Sequence, residues 1–346
     1  MTRLTKLGPD QVGPRVVDAL RAGAVVARPD LAVVELSGPG AVSCFQGVLT
    51  NDIEKPGDGA FVYGALLTPK GMIVTEGWAA RLGTTVRFTV PGAGRERTLD
   101  IFTRSIPPRL ARVTDRTEDT GVIRVAGPRA LALTEAAGIP VPAAPGRVAH
   151  AAAAGVACEV ARASETAPFA LQLSVAAAHA EPLEERLAAA GALRAGPEAL
   201  DLARIVAGWP ALASEVDDKT IPQEVRFDEI GGVSYTKGCY TGQETVSRLH
   251  FRGHANRRLQ GLVFDGEPAV DEGGGPVIHL DREVGRVTSV AWLPDDRAGP
   301  GGAAGGRWIG LAMVRREVPS GAVVRAGAVD ARVVELPLSL LRHEPA

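Results

Sequence analysis

Cysteine and lysine are both scarce in this 346-residue chain. The three cysteines, Cys44, Cys158 and Cys239, stand far apart, so neither a disulfide framework nor a CxxC metal site can be read from them. No metal-ligand set is expected. The five lysines are at 6, 55, 70, 219 and 237, and the remaining basic residues are arginine. With so much Ala and Gly, this is a compositional bias rather than a functional sign. A formal net charge of −2 gives no global field toward nucleic acid or an anionic membrane. No apolar run approaches the roughly 18–20 residues of a membrane span. The first residues, MTRLTKLGPDQVGPRVVDAL, lack a signal-peptide apolar region and carry acids early. A reducing cytoplasm is the expected compartment. GxGxxG, Walker A, GxSxG and HExxH patterns are also missing, which withdraws support from the common nucleotide, hydrolase and zinc-protease chemistries.

What is present suits a soluble globular protein, with 45% hydrophobic and 23% charged residues. The length implies two or three domains. LAVVELSG (31–38) reads as a strand ending in a Gly-Pro-Gly turn, and AVSCFQGVLT follows with Val42, Phe45 and Leu49 at helical spacing. AFVYGALL, MIVTEGWAARL and TVRFTV, separated by TPKG and Gly83-Thr84, predict an antiparallel meander. TLDIFTRSI after it reads as a helix. From about 109 the pattern restarts with strand LARVT, and alternating strands and helices continue to about 195. That predicts a ferredoxin-like α+β layer, with 139–155 as a loose loop within it. PEALDLARIVAG predicts a helix leading into an irregular stretch, 209–236. Beyond 255 short strands predict a barrel, interrupted by a mobile insertion at 295–306. The resulting division is 1–108, 109–195, a connecting segment 196–254, and 255–346.

One stretch carries most of the chemistry, YTKGCYTGQETVSRLHFRGH (235–254). If GQETVSRLHF is a helix, Cys239 lies just before its N-terminus. Unpaired N–H groups there, with Lys237 two residues away, favour a thiolate and a pKa below that of free cysteine. The alternative is an inert buried cysteine, the commoner state of a free thiol. Cys44 and Cys158, set in apolar patterns, are expected to be buried. Lys237, Arg248, Arg252, Arg257 and Arg258 face only Glu244, so an anion, an RNA backbone or plain solvent all suit this run. Asp52, in GVLTNDIEKPGDG, reads by itself as a turn residue.

TKGCYTGQE (236–244) resembles the signature of the YgfZ family, folate-binding relatives of the glycine-cleavage T-protein, an aminomethyltransferase. FQGVLTND (45–52), LLTPKGMI (66–73) and ARIVAGWP…TIPQE (203–224) are similar to family segments in the same order. The resemblance implies an α+β protein of three modules around a central tetrahydrofolate cavity, ending in a C-terminal β-barrel. It also implies Asp52 in the place of the T-protein's essential aspartate, and Tyr63, Arg204 and Gln243 as further folate contacts. Cys239 and Lys237 are the implied chemical pair. The T-protein's Gly-Tyr-Thr-Gly-Glu segment has no counterpart in PFALQLSVAAAHAEPL (168–183). The branch with the cysteine motif implies an accessory role in assembly or repair of iron–sulfur enzymes, including tRNA-modifying ones. Iron–sulfur client or assembly proteins would then be its partners. A folate-dependent aminomethyltransferase is the alternative, and a module docking protein or tRNA is a third.

Overall fold

The computed structural model describes residues 3–294 and 305–338. The expected mobile insertion at 295–306 therefore lies almost wholly outside the described residues. In chain order the first elements are β1 (Thr5–Leu7), α1 (Pro14–Ala22), β2 (Val25–Ala27), β3 (Leu31–Ser37) and α2 (Ala41–Gln46). The meander follows as β4 (Phe61–Leu67), β5 (Ile73–Leu82) and β6 (Thr85–Pro91), then α3 (Arg95–Ser105) and β7 (Arg112–Asp115). These strands form one five-stranded sheet, β4-β5-β6-β3-β7. Residues 112–115, which the sequence pattern assigned to the next unit, thus pair with β3 and belong to the first sheet. Helices α2 and α3 cover one face, where Phe45, Phe88 and Phe102 meet edge-on at 5.3 and 5.8 Å.

The middle layer contains β8 (Thr120–Ala126), α4 (Ala130–Ala136), β9 (Arg147–Ala153), β10 (Val156–Arg162), β11 (Leu171–Ala176), α5 (Ala180–Ala189) and β12 (Leu193–Arg194). Its six-stranded sheet runs β12-β2-β8-β11-β10-β9, so β2 crosses over from the N-terminal region. β9 corrects the expectation of a loose loop at 139–155. Arg147–Ala153 pair residue for residue with β10, and an Ala-rich segment has too little side-chain patterning to announce that. Next comes α6 (Pro197–Ala207), started by a proline whose missing N–H is not needed there. Gly208, at φ +66, ends it and turns the chain so that Trp209 points inward. After an irregular stretch comes α7 (Gln243–Arg252).

The last unit is β13 (Arg257–Phe264), β14 (Pro276–His279), β15 (Arg282–Pro294), β16 (Gly306–Arg315), β17 (Val323–Ala326) and β18 (Val329–Val334). They run β15-β14-β17-β18-β13-β16, and pairing of β15 with β16 closes a six-stranded barrel. β1 adds to β15 in parallel and so ties the N-terminus to the barrel. The architecture is α+β with a C-terminal β-barrel. Its largest apolar cluster is shared by all the units, with Phe61, Tyr63 and Trp78 meeting Leu202, Trp209 and Phe227, and Leu259, Leu311 and Met313 of the barrel. The site is built on that shared core.

Candidate functional site

A cavity of about 380 Å³ opens among β4–β5, the middle sheet and α6. Side chains two apart on a strand share a face, so Glu76 and Trp78 on β5 turn inward together. Tyr63, the cross-strand partner of Trp78, turns inward with them. Trp209 from the end of α6 and Phe169 from the loop before β11 complete an aromatic wall. Trp78 stacks near-parallel to Trp209 at 6.0 Å, Tyr63 meets Trp209 at 4.8 Å, and Trp78 meets Phe169 at 5.3 Å. The Tyr63 hydroxyl is buried beside Glu76 and Trp209 and makes no well-formed hydrogen bond among the described residues.

The polar groups of the cavity are unequal. Glu76 is buried and accepts one bond, from the Leu212 N–H at 3.3 Å. Burial therefore raises its pKa from 4.5 to about 7. Arg124 on β8 lies over the Phe169 ring at 4.1 Å and donates through Nε and Nη2 to Gln172. Burial lowers its pKa to about 10. Asp30 and Asp201 also line the cavity.

Tyr63 and Arg204 of the expected set are brought together here, but Arg204 is already engaged. Its Nε donates to Asp201 at 2.7 Å, Nη1 to buried Glu215 at 3.0 Å, and Nη2 to Thr5 and Ser289 at 2.8 and 3.2 Å. It ties α6 to the barrel and to β1. Asp52 is not among the cavity's lining residues. Its Oδ1 accepts from the Gln46 side chain and from the N–H groups of Glu54 and Lys55, each at 3.0 Å. Burial pushes its pKa up, but these donors outweigh that and leave it below the ordinary value. Asp52 shapes a turn, as its local context alone suggested.

The cysteine motif forms a second locus. Cys239 is exposed, and α7 begins four residues later. Lys237 is buried, and its ammonium donates to the carbonyls of Gln46, Leu49 and Asn51 at 2.6, 2.6 and 2.8 Å. Burial draws its pKa down to about 8. With three protons on three carbonyls, it closes the end of α2. The Gln243 side chain likewise turns back on its own loop and accepts from the Tyr240 N–H at 3.3 Å. Gly242, at φ +82, sits so close to the β4–β5 hairpin that a Cβ would stand 2.6 Å from the Thr68 carbonyl. Of the other cysteines, Cys158 is buried as expected and Cys44 is only half-buried. In the basic run, Arg257 forms a two-point pair with Glu224, and His250 stacks on Tyr235 at 3.6 Å, while Arg248 and Arg252 are exposed.

The pattern reading missed Glu76, Trp78, Arg124, Phe169 and Trp209. A signal existed for two of them. Glu76 lies within a strand buried along most of its length, and Arg124 alternates with Ile123 and Val125 of the middle core. A charge inside an apolar strand is a candidate for a site. Among the described residues no cluster of three or more His, Cys, Asp or Glu could hold a metal ion, and no helix is long and apolar enough to cross a membrane.

The fold is also that of a solved aminomethyltransferase of the glycine cleavage system, from Bartonella henselae. That structure superposes with a TM-score of 0.74 at 17% identity, over 95% of this chain and 90% of that one. The family model of the GCVT N-terminal domain matches residues 20–230. An aminomethyltransferase from Rubrobacter xylanophilus is 30% identical over 313 residues, 88% of this chain and 80% of that protein. The chain belongs to this YgfZ- and T-protein-like family. Within it, the chain is also 29% identical over 168 residues to the tRNA-modifying protein YgfZ of Cronobacter sakazakii, and 40% over 85 residues to that of Vibrio vulnificus. Those two matches span 48% and 25% of the YgfZ proteins' own lengths.

Proposed function

We propose that the protein binds tetrahydrofolate in the central cavity and serves as an accessory factor for assembly or repair of iron–sulfur enzymes, with Cys239 as its working thiol. The observation that carries the folate part is the pairing of an aromatic wall with a buried Tyr63 hydroxyl that makes no well-formed hydrogen bond and stands beside Glu76. A pterin needs such a slot with a few convergent polar groups. Tyr63, Trp78 and Trp209 would hold the ring, with Glu76 as its polar contact. Arg124 is the cation proposed for the glutamyl carboxylates, since Arg204, expected from the resemblance as a folate contact, is already engaged. When bound, the folate supplies one-carbon carriage. The thiol part rests on the resemblance of TKGCYTGQE and on the exposure of Cys239.

A second reading, aminomethyl transfer, is favoured by one feature, a cavity carboxyl that titrates near neutrality. Calorimetry with tetrahydrofolate tests the binding, and turnover of an aminomethyl donor separates the two readings. Folate binding without turnover supports the accessory role. Cys239→Ser should keep folate binding but fail to restore iron–sulfur enzyme activity in a strain lacking the protein. Absence of folate binding by the purified chain would overturn both readings.

A further inference from the structure

We propose that Asn51 and Lys237 form a clasp coupling the wall of the central cavity to the position of the Cys239 thiol, so that a cavity ligand and reaction at the thiol influence one another. This rests on the reading that the cavity takes a folate and that Cys239 is the working thiol. In this account Lys237 is a positioning residue.

The thiol segment departs from the cavity wall itself. Phe227 packs on Tyr63 with ring centroids 5.2 Å apart. The Gly232 N–H donates to the Phe227 carbonyl at 2.7 Å, and a Cβ on Gly232 would lie 2.4 Å from the Phe227 ring. Asn51 forms the second link. Its amide nitrogen donates at 2.7 Å to two carbonyls, that of Tyr63 on β4 and that of Gly231 where the thiol segment starts. Thr50 doubles the link, with its hydroxyl on the Gly232 carbonyl at 2.6 Å and its carbonyl accepting from the Ser234 N–H at 3.0 Å.

Lys237 fastens the far end to the same turn, since the Asn51 carbonyl is one of its three acceptors. The anchor is costly to loosen, because an ammonium taken out of water needs all its partners. Past it the chain is free for two residues. Gly238 has open space where a Cβ would be, and Cys239 is exposed. The segment is caught again at Tyr240, whose ring is buried and whose N–H donates to the Gln243 side chain, and at Thr241, whose N–H meets the Gly47 carbonyl at 3.1 Å. The thiol therefore sits on a short free span between Lys237, held on the turn that braces Tyr63, and Tyr240–Thr241, held by the core and by the end of α2. A ligand that engages the Tyr63 hydroxyl biases the strand whose carbonyl Asn51 holds. Linkage makes the effect reciprocal.

The test is the rate of Cys239 alkylation by limiting iodoacetamide, read by mass spectrometry on the full chain with and without tetrahydrofolate. Calorimetry in the same buffer verifies saturation. Saturation should change the wild-type rate by about fivefold or more, and in Asn51→Ala the ratio of the two rates should fall to near one. An unchanged wild-type rate at verified saturation overturns the coupling, and so does an undiminished effect in Asn51→Ala. If calorimetry finds no folate bound, the functional reading fails and the ligand-free protein decides the clasp. There, Asn51→Ala and Lys237→Met should each raise the alkylation rate severalfold and speed amide exchange over residues 231–242, and wild-type values overturn it. A pH series adds a readout specific to positioning. Below about pH 7, where Lys237 keeps all three protons, a positioning lysine makes wild type slower than Lys237→Met and a lysine serving the thiol directly makes it faster. The difference should fade above about pH 8 as the ammonium loses its proton.

Discussion

Replacing Glu76 by Gln exposes the energetic cost of the cavity. The Glu76 carboxyl is buried, one oxygen meets the Leu212 N–H, and burial raises its pKa from 4.5 to about 7. The folded chain thus binds this proton more tightly than the unfolded chain does. Below about pH 4.5 both states are protonated and the site costs nothing. As pH rises toward 7 the unfolded chain ionises freely while the folded one resists, so stability falls, and the loss levels off above 7. A shift of this size corresponds to at most roughly 3 kcal/mol. Gln keeps the shape and an acceptor but cannot ionise. Glu76→Gln should therefore be more stable than wild type at pH 8 by up to about 3 kcal/mol, a rise in Tm of roughly 3–6 °C. The advantage should shrink to roughly 1 kcal/mol at pH 5 and to almost nothing by about pH 4. Thermal melts across a pH series, without folate, measure it. A variant no more stable than wild type at pH 8, or equally advantaged at pH 5, would refute the reasoning. The same variant should bind folate more weakly, as expected if the strain is kept for function.

Arg204→Ala leaves Glu215 as a buried, unpaired charge and should cost about 3–5 kcal/mol in urea unfolding, and a loss below about 1 kcal/mol would show that the network relaxes. Asp52→Ala should leave folate affinity within a factor of about two while costing about 1 kcal/mol of stability, and a tenfold loss of affinity by calorimetry would return Asp52 to the site. Limiting alkylation should label Cys239 first, half-buried Cys44 next and Cys158 last, since burial also raises the Cys158 thiol pKa. Mass spectrometry would contradict this if Cys158 labelled before Cys44. Gly242→Ala forces a side chain at φ +82 against the Thr68 carbonyl and should destabilise by roughly 1–3 kcal/mol, with a neutral result in thermal melts counting against that close contact.

The fold was legible wherever one face of an element is apolar and the other is not. The meander, α6, α7 and the barrel strands all carry that contrast, with turns marked by glycine. It failed at β9, where alanine fills both faces, and at β7, whose sequence cannot say which sheet takes it. β1 and β2 were not foreseen for a related reason. Each is a three-residue strand completing a sheet made largely by distant residues, and so short a segment has no period to read.

The candidate site was legible in part because a motif reports which residues recur together, not which way they face. TKGCYTGQE led to the exposed thiol, but its lysine and glutamine turned inward to brace the loop, each satisfying backbone groups that the tight glycine turns leave open. The same holds for Arg204, whose partners Thr5 and Ser289 are distant in sequence, whereas Asp52 is held by Gln46, Glu54 and Lys55 of its own turn. The cavity carboxyl went the other way. Glu76 shows in sequence only as a charge within an apolar strand, and the pairing of β4 with β5 sets it beside Tyr63. The partners of such a residue, and so its chemistry, appear only once the fold supplies the walls. Residues that merely hold the walls can look catalytic in sequence because they, too, must be polar and exactingly placed. Charge in an apolar strand is the better sequence guide to this cavity, and by that guide Glu76 and Arg124 rank ahead of Asp52 and Arg204.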